Sequence, residues 1–463
     1  MDESQPVNAY LSGNFAPVHS EDDFELEVIG EIPDALNGTL YRNGPNPQFD
    51  PRGDYHWFGG DGMIHAFFVE GGKARYRNRY VQTPKYKVEH AAGQALFGTF
   101  GNPMTTDPSM MGQDGGVANT NIVVHAGKLF ALEEGHMPTE LDPHTLATKG
   151  YLEAYRGRVT AHPKIDPVTG EMTWFGYSSG DMPLNATVSY GVTSASGEVL
   201  RRDDFEAPYS SMVHDFHVTA RHVLFPILPL TGSLQRAMTG LPAYAWEPEK
   251  GAYIGVMARD ASVDSIRWFE TDPCYVFHPM NAWEEGDKIF ADVMQYPVAP
   301  LFPNADGSRG ERTHATLKRW IIDLASPSNA IKVEDLDDTA GEFPRFDERR
   351  VGLSYRHGWF AAQTGRPGGM NFDALAHVDL KTGARKLHTL AHGDGTGEPV
   401  FVPRSEDAEE GDGYVLAVVH CREDDRSELQ VFNATDIEAG PIGRARAPRR
   451  VPYGFHGNWR AAS

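Results

Sequence analysis

The sequence predicts a large all-β fold. Short β-rich runs recur between turn signals along its length, convincing amphipathic helices are scarce, and a small apolar–Asp–turn pattern repeats. The first clear pair is Asn121–Val124 and Lys128–Leu132, which flank His125-Ala126-Gly127 and read as a hairpin. Further strands are expected at Glu171–Tyr177, Lys288–Val293 and Tyr414–Val419. The best helical stretch is Ser233–Met238, and it is short. The pattern itself appears as Leu141-Asp142-Pro143, Ile165-Asp166-Pro167, Ile322-Asp323-Leu324 and Val378-Asp379-Leu380. An aspartate placed there accepts from the backbone two residues on and starts a turn. Repeated hairpins suit a β-propeller, whose radial packing hides sheet edges, although a pair of sandwiches fits nearly as well. Seven blades would average roughly 66 residues, longer than the about 40–50 of regular propeller repeats, so loops would have to absorb the excess.

By length alone 463 residues permit two or three domains, but no linker or low-complexity tract marks a border, so one domain, 1–463, is expected. A formal net charge of −22 argues against nucleic acid as a partner. The acidic runs Val333–Asp338 and Ser405–Glu410 read as solvated loops. Two cysteines, Cys274 and Cys421, cannot build a disulfide framework and read as buried thiols. With no apolar run of bilayer length and no basic-then-apolar leader, a cytoplasmic location is expected.

Of 19 histidines, four stand in distinctive surroundings. They are His162 in Thr160–Pro163, His214 in Met212–Phe216, His278 in Val276–Pro279 before Asn281–Glu284, and His456 in Phe455–Trp459. Their separations of 52, 64 and 178 residues form no local metal motif, and a single histidine is more often a surface or core residue than a ligand. The wording around all four nevertheless resembles the ligand segments of the carotenoid cleavage oxygenases. Leu36–Pro47, Phe58–Met63, Ala131–Glu134, Glu342–Arg345 and Glu398–Arg404 resemble further segments of that family.

The resemblance implies a seven-bladed β-propeller with short helices and loops capping an axial iron site. His162, His214, His278 and His456 would hold one Fe(II) through imidazole nitrogen, leaving up to two octahedral positions for oxygen or water. Glu134, Glu342 and Glu398 would stand behind His214, His278 and His456, and His162 would have no carboxylate. A carboxylate behind a ligating imidazole fixes the ring and raises its basicity. Thr120 would shape oxygen access. The implied reaction is dioxygenase cleavage of a conjugated C=C bond by O2 into two carbonyl products, without flavin or nicotinamide.

For the substrate, the family divides between carotenoids or apocarotenoids and stilbenes or phenylpropenes. The second branch uses a tyrosine and a lysine to engage a phenolic oxygen, where this chain has Phe100 and Glu133. A carboxylate would repel a phenolate, so a carotenoid or apocarotenoid is expected first and a stilbenoid or phenylpropene second. Phe58 and Phe100 would line the tunnel. A retinoid-type isomerohydrolase and a non-catalytic binding propeller are weaker alternatives. No protein partner is implied. The apolar stretch Phe225–Leu230 is a candidate for a peripheral membrane contact or, equally, a buried strand.

Overall fold

Turn chemistry sets the strand breaks. At the predicted first hairpin, Asn121–His125 pairs antiparallel with Lys128–Leu132. Ala126 and Gly127 both take positive φ, 51° and 73°, as a two-residue hairpin turn requires. The four repeated aspartates do what their positions suggest. Oδ1 of Asp142, Asp166, Asp323 and Asp379 accepts the N–H of His144, Val168, Ala325 and Lys381 respectively, at 2.9–3.1 Å. The strands predicted near residues 171, 288 and 414 are Met172–Tyr177, Lys288–Tyr296 and Gly413–Cys421.

The computed structural model describes residues 8–100, 103–365 and 372–462. Seven antiparallel sheets form the blades of a propeller. Blade 1 runs outward from Gly457–Ala461 through Gly38–Pro45, Gly62–Glu70 and Lys73–Tyr80 to Asp23–Glu25. Blades 2 to 6 each follow chain order, starting from Asn121–His125, Lys164–Ile165, His217–Val218, Tyr275–Glu285 and Gly341–Phe346. Blade 7 contains Val400–Pro403, Gly413–Cys421, Arg426–Asn433 and Gly443–Arg446, and takes Glu27–Gly30 as its outer edge. The ring is thus closed twice: a C-terminal strand lies innermost in blade 1, and an N-terminal strand lies outermost in blade 7. First strands of neighbouring blades abut one another, which places them around the axis.

The extra length forms a cap. One insertion, residues 82–120, joins blades 1 and 2 and carries the helix Pro84–Ala92. A second, inside blade 4, holds the hairpin Leu230–Gly232 with Tyr244–Trp246 and the short helix Leu234–Met238, whose Ser233 Oγ accepts from Arg236 N–H as an N-cap. A third, 297–315, lies in blade 5 and is tied to the second by Trp246 N–H donating to Pro303 O at 3.0 Å.

One expectation needs correction. Within the acidic run Val333–Asp338, residues 333–337 are not a loop but part of the outer strand Lys332–Asp337 of blade 5. Its carboxylates meet Lys318, Lys332 and Arg385, and a charged edge resists pairing with other chains. Of the two readings of Phe225–Leu230 the structure shows the buried strand: Phe225, Ile227, Leu228 and Leu230 lie in core packing. Cys274 is buried, Cys421 is half-buried, and both are free thiols. No helix among the described residues is long and apolar enough to cross a membrane.

Candidate metal centre

The four distinctive histidines lie at the starts of inner strands. His162 precedes Lys164–Ile165, His214 precedes His217–Val218, and His456 immediately precedes Gly457–Ala461. His278 lies inside Tyr275–Glu285, where the register with Lys288–Tyr296 shifts at Val276/Pro279 and again at Pro279/Asn281. Pro279 cannot donate to the ladder, so a bulge there is expected, and it re-aims the neighbouring side chain.

All four imidazoles are buried, and one ligand atom from each lies within 4.8 Å of the others. The Nε2 atoms of His162 and His214 are 3.1 Å apart, and those of His214 and His278 are 3.0 Å apart. Behind them, Nδ1 of His278 donates to Glu342 Oε2 at 2.5 Å, and Nδ1 of His456 donates to Glu398 Oε1 at 2.9 Å. Nδ1 of His214 faces Glu134 Oε1. Each of the three glutamates therefore stands behind one of these three rings. His162 has no carboxylate at hydrogen-bonding distance, but it is not isolated either. Asp215 Oδ2 stands 3.6 Å from its Nδ1, and Asp215 is paired with Lys164 at 2.7 Å.

Each glutamate is itself held. Tyr177 donates to Glu134 Oε2 at 2.6 Å, and Phe343 N–H donates to Glu342 Oε2 at 2.6 Å. Glu398 Oε2 accepts from Gly457 N–H at 2.8 Å and pairs with Arg345 at 2.9 Å. Burial would raise the Glu398 carboxyl, but Arg345 and His456 hold it below its ordinary value. Glu342 lacks such a cation, and burial pushes it up to about 8. Burial drives His162 and His278 well below the ordinary imidazole value, and mutual repulsion adds to this, so these rings are neutral.

This arrangement fits a cation. With their protons on Nδ1 facing carboxylates, the imidazoles of His214, His278 and His456 turn Nε2 lone pairs toward one point. Lone pairs about 3 Å apart repel unless a positive charge lies between them. Metal–imidazole bonds of about 2.1 Å put adjacent nitrogens on an octahedron about 3.0 Å apart, matching the two separations above. The ring centroids tell the same story. Five of the six pairs are 4.4–5.2 Å apart, whereas His214 and His456 are 6.4 Å apart. One opposed pair and five adjacent pairs describe four donors on an octahedron with two neighbouring positions left for other ligands.

The remaining candidates lie around this point. Thr120 is bound to the ligand backbone, its carbonyl accepting from His456 N–H at 3.2 Å while its hydroxyl donates to Asn119 Oδ1 at 3.0 Å. Asn119 in turn donates to the carbonyls of Phe58 and Gly60 at 2.8 and 2.7 Å. Phe58 and Phe100 meet edge-to-face at 5.4 Å. Phe302 and Phe455 join Phe58 at 6.3 and 5.6 Å, and Tyr244 stacks on Phe100 at 6.3 Å. All three cap insertions thus contribute rings to one aromatic box beside His456.

Glu133 lies in a small charged cluster. Its Oε1 accepts from Val117 N–H at 2.9 Å and pairs with His136 at 2.7 Å, and His136 also meets Asp114 at 3.3 Å. Burial alone would lower the His136 imidazole, but Glu133 and then Asp114 push it up to about 9. One imidazole thus stands between two carboxylates, Glu133 and Asp114.

Comparison with known proteins places this architecture. The RPE65 family profile, described as retinal pigment epithelial membrane protein, matches residues 15–461. The chain is 39% identical over 466 residues to an isoeugenol monooxygenase of Pseudomonas nitroreducens, covering 97% of each. It is also 39% identical over 483 residues to lignostilbene-α,β-dioxygenase isozyme III of Sphingomonas paucimobilis, covering 99% of this chain and 98% of that one. The crystal structure of a Pseudomonas brassicacearum lignostilbene dioxygenase superposes with a TM-score of 0.94 at 35% identity over 99% of both chains. A mutant of Synechocystis apocarotenoid oxygenase superposes with a TM-score of 0.86 at 30% identity, covering 97% of this chain and 98% of that one.

Proposed function

The chain belongs to the RPE65 family of carotenoid cleavage oxygenases, and from that premise we propose that it is a non-haem Fe(II) dioxygenase acting on an aryl alkene, a phenylpropene or stilbenoid. Iron-dependent oxidative cleavage is the chemistry of this family, and the buried four-histidine cluster is the observation that carries it here. The overall change is balanced: the alkene C=C and the O=O bond break, two C=O bonds form, and no external reductant is consumed.

His162, His214, His278 and His456 would hold the metal. Ferrous iron, when bound, supplies the unpaired electrons that let triplet O2 react with a closed-shell alkene. The protein's part is to orient and exclude. Glu134, Glu342 and Glu398 fix three rings and offset the buried positive charge that neutral ligands leave standing. The box of Phe58, Phe100, Phe302 and Phe455 keeps water away and asks no hydrogen bond of an alkene. Thr120, fastened to the His456 backbone, would shape the approach of oxygen.

Two observations favour an aryl alkene over the carotenoid that the sequence suggests first. The isoeugenol and lignostilbene enzymes are 39% identical to this chain, against 34% for a mycobacterial carotenoid cleavage oxygenase. The lignostilbene dioxygenase also superposes better than the apocarotenoid oxygenase. A carotenoid or apocarotenoid stays the second reading, because Phe100 and Glu133 replace the tyrosine–lysine pair of the stilbene branch.

The test is to give iron-loaded protein isoeugenol, a 4-hydroxystilbene and an apocarotenal under ¹⁸O2, trapping the carbonyls by reduction before they exchange with water. Aryl aldehydes labelled in both fragments are expected. Turnover of the apocarotenal alone would reverse the substrate assignment, and no cleavage of any alkene by iron-replete protein would end the enzymatic one.

A further inference from the structure

At the aromatic box two ring nitrogens, His56 Nε2 and Trp57 Nε1, are buried without a hydrogen-bond partner among the described residues, and His56 is the one whose ring packs on Phe58, Phe100 and Phe302. His56 is the N-cap of the short turn Trp57–Gly59, and its Nδ1 accepts from Phe58 N–H at 3.2 Å. Its Nε2 is buried and has no hydrogen-bond partner among the described residues. The ring lies against Phe58 at 4.6 Å edge-to-face, Phe100 at 5.3 Å and Phe302 at 6.1 Å, with Tyr10 at 5.6 Å.

We propose that His56 is a specificity-determining residue whose Nε2–H donates to an oxygen on the substrate's aromatic ring. This deepens the aryl-alkene reading and rests on it. Burial lowers the imidazole to about 4, so the ring is neutral near pH 7 and carries one proton. Because Nδ1 is occupied as an acceptor, that proton is on Nε2. A buried N–H without a partner costs stability, and such groups in native proteins usually await a ligand or a water. Phe58, Phe100 and Phe302 offer no acceptor beyond their weak π faces, and the neighbouring Tyr10 makes no hydrogen bond to Nε2, whereas a phenol or aryl ether oxygen entering the box would satisfy the donor. Trp57, the next residue, packs on Tyr10, Phe15 and Phe455, and has no ring contact with Phe100 or Phe302 among the described residues. In a chain with phenylalanine and glutamate at the positions the stilbene branch gives to tyrosine and lysine, His56 supplies the missing donor from a different element. A hydrocarbon polyene would leave it unpaired, so the same atom selects against carotenes.

The experiment measures binding apart from turnover. Iron-loaded protein under nitrogen is titrated with 4-hydroxybenzaldehyde and with 4-methylbenzaldehyde, which has nearly the same shape but no ring oxygen. Wild type should prefer the hydroxy compound by about 10–100-fold. His56→Thr keeps an oxygen to cap Phe58 N–H but loses the reaching donor; it should erase that preference while moving 4-methylbenzaldehyde less than about twofold. His56→Asn, with both a capping oxygen and an N–H, should restore part of it. Three outcomes overturn the proposal: no preference in wild type, a preference kept by His56→Thr, or an equal loss for both aldehydes, which would mark a structural role. Isoeugenol turnover by wild type is scored separately. A His56-dependent preference without cleavage sinks the function proposed above and leaves His56 as the donor, while cleavage with a His56-independent preference sinks only this inference.

Discussion

Each ligand nitrogen depends on the group behind it. His214→Ala removes one donor and leaves Glu134, already engaged by Tyr177, without its imidazole. It should abolish cleavage and strip most iron, read by metal analysis after gel filtration; full iron and rate would refute the ligand assignment. Glu398→Gln is subtler, because a neutral amide cannot accept from His456, Gly457 and Arg345 as a carboxylate does. Iron affinity or rate should fall about 10–100-fold, measured by competition with a chelator, and unchanged affinity would argue against this placement. These seven residues were legible in the sequence because each is embedded in several neighbours of characteristic type. Asp215 and His56 were not. Asp215 follows a ligand directly, and only the fold reveals that it turns toward His162 and Lys164 rather than toward its neighbour. His56 looks like any histidine until its unpartnered nitrogen is seen among aromatic rings.

The helix Pro84–Ala92 shows why an element can escape a sequence reading. Its ends are well marked, with Thr83 as N-cap, Pro84 at the first position and a left-handed Gly93 after the last turn. Its buried face, however, is Lys85, Tyr86 and Glu89, so no apolar 3.6-residue periodicity announces it. Lys85 bridges Asp61 and Glu89 at 2.7 Å each, and Glu89 Oε1 accepts from the N–H groups of Leu96 and Phe97, just before Phe100. Lys85→Met should therefore destabilise the protein by about 3–5 kcal/mol, because two buried carboxylates lose their cation. Urea unfolding measures this, and a loss below about 1 kcal/mol would show that the pair is solvated. The turn aspartates, by contrast, were legible because their bonds span only two or three residues. The cap insertions were visible only as surplus length, since nothing local states where a loop will fold over.

Seen whole, the propeller gives one group per blade to the centre. Histidines come from blades 1, 3, 4 and 5, and carboxylates from blades 2, 6 and 7. The 178-residue gap between His278 and His456 holds the rest of blade 5 and all of blade 6, with the main strands of blade 7; blades 6 and 7 give Glu342 and Glu398 instead. An ion bound only by the closed ring stabilises the entire molecule, by about 2.7 kcal/mol at one hundred times its dissociation constant. Anaerobic Fe(II) should raise the thermal midpoint of the wild type and leave that of His214→Ala unchanged; equal shifts would place the ion elsewhere. The last imidazole, His456, arrives with the very strand that seals blade 1. Closure of the ring and completion of the ligand set are therefore one event: a chain cut before that strand would lack the fourth imidazole and the seal together.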